Sequence, residues 1–109
     1  MKKLLFLCSQ NKLRSPTAEA IFSEYEGLEV DSAGLDRDAE VHVFQEQIEW
    51  ADIIFVMEKT HKNKLQKKFQ AYLTNKRVIC LDIPDEYEYM NPVLIQLLKN
   101  KVLPLLGTF

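Results

Sequence analysis

Cys8 and Arg14 stand six positions apart, with Ser9-Gln10-Asn11-Lys12-Leu13 between them. A loop of that length can turn its backbone N–H groups around one tetrahedral oxyanion. Arg14 can close the ring with a two-pronged fork onto two phosphate oxygens, which a lysine does less well. Cys8 then lies at the floor of the cradle, placed as the nucleophile. The chemistry this points to is phosphoryl transfer onto sulfur. Residues 9–13 supply the binding loop.

That loop needs a strand before it and a helix after it. Leu4–Leu7 is an apolar run that suits a buried parallel strand. Ser15 is a good helix N-cap, and Pro16 suits the first helical position. The helix start aims its positive end at the cradle. Beyond it, apolar segments at Leu28–Asp31, Ile53–Met57 and Arg77–Leu81 read as further strands. Helices are predicted over Pro16–Tyr25, Ala39–Trp50, Thr60–Phe69 and Pro92–Leu103. Val41, Phe44, Ile48 and Ala51 mark the inward face of the second helix. Leu65 and Phe69 do so in the third, which Thr60 can cap. Asn91-Pro92 caps the fourth, with Leu94, Leu97, Leu98 and Val102 inward, and Pro104 should kink or end it.

Strands alternating with helices imply an α/β fold whose parallel sheet is covered on both faces. Ligands of such sheets bind beyond the carboxyl ends of the strands, where Cys8 falls. The 109 residues suit one domain, 1–109. The chain is 47% hydrophobic and 28% charged, an ordinary globular composition. No apolar run approaches membrane-spanning length, and the run in Met1–Leu7 is too short for a signal peptide. Two cysteines are too few for a disulfide framework, so a cytoplasmic protein is expected. The net charge of −2 argues against general nucleic-acid binding. Lys59, Lys62, Lys64, Lys67 and Lys68 make the third helix basic, which reads as a solvated face. His42 and His61 have no partner spacing for a metal or a catalytic pair. They read as surface or boundary residues.

The run Cys8-Ser9-Gln10-Asn11-Lys12-Leu13-Arg14-Ser15-Pro16-Thr17-Ala18-Glu19 resembles the signature of the low-molecular-weight protein tyrosine phosphatases. Asp31-Ser32-Ala33-Gly34, Ala51–Met57 and Ile83-Pro84-Asp85-Glu86-Tyr87 are similar to three further segments of that family, in order. The resemblance, to a short bacterial branch, implies a four-stranded parallel sheet in the order 2-1-3-4. It also implies roles. Cys8 would carry a phosphocysteine, and Arg14 would bind the equatorial oxygens. Asp85 would protonate the leaving oxygen and then activate water, with Asp82 as runner-up. Asn11 would hold a strained, left-handed loop position. Ser15 would donate to the Cys8 thiolate, and Ser32 would buttress Asn11. Ser9, Gln10, Lys12 and Leu13 complete the substrate-binding loop, and Tyr87 is expected to line the pocket. No cofactor and no metal are implied. The expected partner is a phosphorylated substrate, a phosphotyrosine protein or an aryl phosphate, met by a monomer.

Three departures from the family pattern stand out. Gln10 replaces the usual Gly, Leu13 replaces a second Cys, and the stretch from Gly34 to Trp50 is short. They leave other functions open. An arsenate reductase of the same fold needs relay cysteines, and Cys80 is the only other one. A Cys phosphocarrier would need neither Arg14 nor an acid loop. A phosphate-binding module without turnover would keep the cradle alone.

Overall fold

The computed structural model describes residues 2–107. Four strands, β1 (Lys2–Cys8), β2 (Leu28–Gly34), β3 (Ile53–Val56) and β4 (Arg77–Cys80), form one parallel sheet in the order β2-β1-β3-β4. This is the predicted order. The helices are α1 (Arg14–Phe22), α2 (Gln45–Trp50), α3 (Lys59–Phe69) and α4 (Pro92–Leu106). None of the described helices is long and apolar enough to cross a membrane.

Alternation along β1 divides the core in two. Leu4, Phe6 and Cys8 face one side, where α1 and α4 bring Ala18, Phe22, Leu94 and Leu98. Leu5 and Leu7 face the other, where α2 and α3 bring Ile48 and Leu65. Phe6 is stacked between Phe22 and Phe55, with ring centroids 5.5 and 4.9 Å away. The floor of the future site is therefore tied to a buried core that holds this aromatic stack.

Register brings the strand ends level. Cys8 lies opposite Gly34, and Leu7 opposite Val56, which in turn pairs with Cys80. The chain leaves β3 and β4 still bonded to its neighbours. The Met57 N–H donates to the Leu7 carbonyl at 3.2 Å, and the Ile83 N–H to the Met57 carbonyl at 2.9 Å. The loops after β1, β3 and β4 so begin side by side.

Several local expectations need correction. Helix α1 begins at Arg14, so Ser15 lies inside it and is not the N-cap. Its hydroxyl is engaged by the nucleophile loop instead. Helix α2 spans only Gln45–Trp50. Residues 35–44 form a loop, and Val41 and Phe44 are exposed while Val43 is buried. The 41–44 spacing looked helical, but the loop is bonded to the end of β2 on both sides of His42. Glu58, not Thr60, caps α3. Pro104 lies within α4, which runs on to Leu106.

Gly34 needs to be glycine. A Cβ there would lie 2.6 Å from the Ser9 carbonyl oxygen, 3.0 Å from the Asn11 nitrogen and 2.5 Å from the Ala39 Cβ. Two of these neighbours are backbone of the loop after β1. Gly34→Ala should cost about 1–3 kcal/mol, the usual size of overpacking. It should also shift the Ser9–Asn11 amide resonances. A variant with wild-type melting and unshifted amides would show that the loop is not clamped here.

Candidate active site

The loop Ser9–Leu13 sits between the Cys8 end of β1 and the start of α1. Its outer side is held by the 35–40 loop. The carbonyls of Cys8, Ser9 and Gln10 accept hydrogen bonds from the N–H groups of Leu35, Asp36 and Glu40, at 2.9, 2.9 and 3.0 Å. In a planar trans peptide the N–H points opposite to the C=O. Three carbonyls bound outward therefore turn the N–H groups of Ser9, Gln10 and Asn11 inward. The last of these meets the Cys8 Sγ at 3.3 Å.

Asn11 makes this turn with φ of +57°, the left-handed region that Asn tolerates better than most residues. Its side chain is buried, and its amide donates to the Ser15 Oγ at 3.0 Å and the Ser32 Oγ at 2.9 Å. Ser15 Oγ in turn lies 2.9 Å from Cys8 Sγ. Ser32 also bonds to the Glu19 carboxylate. Cys8, Ser15, Asn11, Ser32 and Glu19 thus form one continuous chain, buried except at Glu19, with sulfur at its end.

Arg14 is 3% exposed. Its Nη1 donates to the Glu58 Oε2 at 2.8 Å and to the Ile83 carbonyl at 2.7 Å. Nη1 has two hydrogens, and both are used by these anchors. The Nε–H and Nη2 edge remains as the fork for an anion. Asp85 Oδ1 lies 3.8 Å from Nε on that edge, with its side chain 63% exposed. The open pocket is lined by Cys8, Ser9, Gln10, Lys12, Leu13, Arg14 and Asp85.

One sequence expectation parts from this geometry. Tyr87 does not line the pocket. It packs, half-buried, against the core cluster on the α1 and α4 side. Asp82 is also absent from the pocket lining and accepts the Cys80 thiol hydrogen instead. Two roles were missed. Glu58 anchors Arg14, and His61, read as a surface residue, is 2% exposed beneath the loop. His61 Nδ1 accepts the Glu58 N–H at 3.1 Å, and its Nε2 lies 2.9 Å from Ser9 Oγ. The available signal was Glu58-x-x-His61, spaced as a reciprocal cap at a helix start. Among the described residues, no group of three His, Cys, Asp or Glu side chains is placed to hold a metal ion.

Residues 3–49 match the family model described as "Low molecular weight phosphotyrosine protein phosphatase". No curated protein matches the sequence. Solved structures match over nearly the full chain. The YwlE arginine phosphatase from Geobacillus stearothermophilus is 19% identical, with a TM-score of 0.71, covering 100% of this chain and 99% of its own. SP-PTP, a low molecular weight protein tyrosine phosphatase from Streptococcus pyogenes, is 16% identical, with a TM-score of 0.77 and coverages of 98% and 92%. Wzb from Vibrio vulnificus, solved with benzylphosphonate, is 20% identical, with a TM-score of 0.76 and coverages of 95% and 96%. At these identities the structures establish a shared fold.

Burial holds the His61 pKa below the ordinary imidazole value of 6.5, and Arg14 and Lys64 add to this against Glu58 and Asp36. The unfolded chain therefore takes up this proton at higher pH than the folded one. Stability should fall as pH drops below 6.5. His61→Asn lacks that linkage. Comparing melting at about pH 7.5 and about pH 5.5, the wild type should lose more stability than the variant. Equal losses in both would mean that His61 is as easily protonated folded as unfolded.

Proposed function

We propose that this chain, similar over residues 3–49 to the low-molecular-weight phosphotyrosine protein phosphatases and sharing the fold of solved members, hydrolyses phosphomonoesters through a phosphocysteine on Cys8. The carrying observation is the convergence on one pocket of Cys8 Sγ, the inward N–H groups and the Nε/Nη2 edge of Arg14.

The phosphoryl group sits in the loop, its non-bridging oxygens taken by backbone N–H groups and by the Nε/Nη2 edge of Arg14. The Cys8 sulfur attacks phosphorus as the bond to the ester oxygen breaks. Asp85, on the open side of the pocket, gives its proton to that oxygen. The alcohol or phenol leaves. The Asp85 carboxylate then takes a proton from water, whose oxygen attacks phosphorus and breaks the S–P bond. Inorganic phosphate and a Cys8 thiolate result. Ser15, 2.9 Å from the sulfur, donates to the departing thiolate.

Asp85 is favoured over Asp82 because only Asp85 borders the pocket. An aryl ester is the preferred substrate class, a phosphotyrosine protein included. Leu13, 37% exposed at the pocket, offers an apolar wall to the ring. Tyr87, half-buried against the core cluster, is not among the residues that border the pocket. Lys12 on the same rim disfavours a cationic leaving group such as a guanidine. Redox relay to Cys80 is disfavoured by topology. Strand β3 separates β1 from β4, and two strand spacings of about 4.8 Å exceed disulfide reach.

Hydrolysis of para-nitrophenyl phosphate and phenyl phosphate tests this reading. Cys8→Ser should abolish turnover of both. Asp85→Asn should slow the first-turnover release of phenol by about 10²–10⁴-fold and that of nitrophenol much less, because nitrophenolate departs without a proton. Arg14→Lys should weaken phosphate inhibition as well as turnover. Activity retained in Cys8→Ser would overturn the mechanism. The leaving-group pattern appearing in Asp82→Asn instead would move the acid to Asp82.

A further inference from the structure

The mechanism leaves unused a buried histidine in direct contact with the nucleophile loop. His61 Nδ1 accepts the Glu58 N–H, so in the neutral ring the hydrogen is on Nε2. The 2.9 Å contact to Ser9 Oγ therefore runs from ring to hydroxyl. A serine hydroxyl has one hydrogen and two lone pairs. With one lone pair taken by His61, the hydrogen is left over. No other side-chain or backbone partner is recorded for this hydroxyl among the described residues. Ser9 lines the same pocket as Cys8 and Arg14.

We infer that His61 is a positioning residue that turns the Ser9 hydroxyl into the pocket, where it donates to a non-bridging oxygen of the bound phosphoryl group. This rests on the phosphate-binding reading of the cradle. The donor is additional to the backbone N–H groups. Burial beside Arg14 disfavours a second proton on the ring, which keeps Nδ1 an acceptor. The same turn does two things. Glu58 holds Arg14 Nη1, and the Glu58 N–H fixes the His61 tautomer that orients Ser9. The arginine fork and the serine donor are set by one helix start.

The test is a cycle on binding of inorganic phosphate, read by calorimetry on the full chain. Ser9→Ala should weaken binding by about tenfold or more, the size expected for a hydrogen bond to a charged group. His61→Asn retains an acceptor near the Nδ1 position for the Glu58 N–H but cannot reach Ser9. It should show a similar loss with an intact fold by circular dichroism. His61→Gln places an amide donor near the Nε2 position and should restore much of the affinity. The Ser9→Ala/His61→Asn double variant should bind no more weakly than Ser9→Ala. Wild-type affinity in Ser9→Ala would overturn the proposal. So would a further loss on adding His61→Asn to Ser9→Ala, since His61 would then act through the fold. Para-nitrophenyl phosphate turnover by the wild type is measured alongside. A chain that binds phosphate without turnover would sink the hydrolase reading and leave this one to the cycle. A wild type that binds no phosphate would overturn both.

Discussion

The site depends on how peptide groups are satisfied on the side away from it. An N–H can face an anion only if the carbonyl of the same peptide finds a partner on the opposite side. Here the 35–40 loop supplies three such partners, to Cys8, Ser9 and Gln10. The short segment after β2 is therefore the outer scaffold of the cradle. Gly34 lets it approach, because any side chain there would strike the loop backbone. Gln10, where the family pattern has glycine, is accommodated because its φ is not positive and the residue borders the open pocket.

From that constraint the rest follows inward. The loop closes through Asn11 in a left-handed conformation, and its amide is held by two buried hydroxyls. One of those hydroxyls touches the sulfur. Arg14 spends one nitrogen on anchors from two different strand ends, Glu58 after β3 and Ile83 after β4. Its remaining edge is thereby fixed in direction. A guanidinium so held loses little freedom when it meets an anion. The parallel sheet brings those anchors to one level, and the stacked Phe22, Phe6 and Phe55 rings stiffen the strands beneath.

Much of this was legible in the sequence. The strands announced themselves as short apolar runs, and the Cys8–Arg14 spacing with its flanking strand and helix pointed to phosphate. Asn11, Ser15 and Ser32 could be singled out through the family resemblance. The structure adds the distances that join them. What misled was local. Val41 and Phe44 carry a helical spacing, yet the 35–44 segment answers to the carbonyls of the nucleophile loop. Ser15 has the chemistry of a cap and the position of a sulfur ligand. Tyr87 sits in an acidic, exposed-looking loop, but its ring finds the core. Glu58 and His61 were hidden because their partners, Arg14 and Ser9, lie 44 and 52 residues away. Such long-range polar pairs leave no periodic trace in a single chain.

The central claim is that the cradle delivers a phosphoryl group to sulfur. Trapping the intermediate reads this directly. Asp85→Asn should slow the water step, so the chain mixed with para-nitrophenyl phosphate and quenched in acid should gain the mass of one phosphoryl group. Fragmentation should place it on Cys8. A phosphoryl group found on another residue, or nitrophenol released at the full rate with no trapped adduct, would contradict the account.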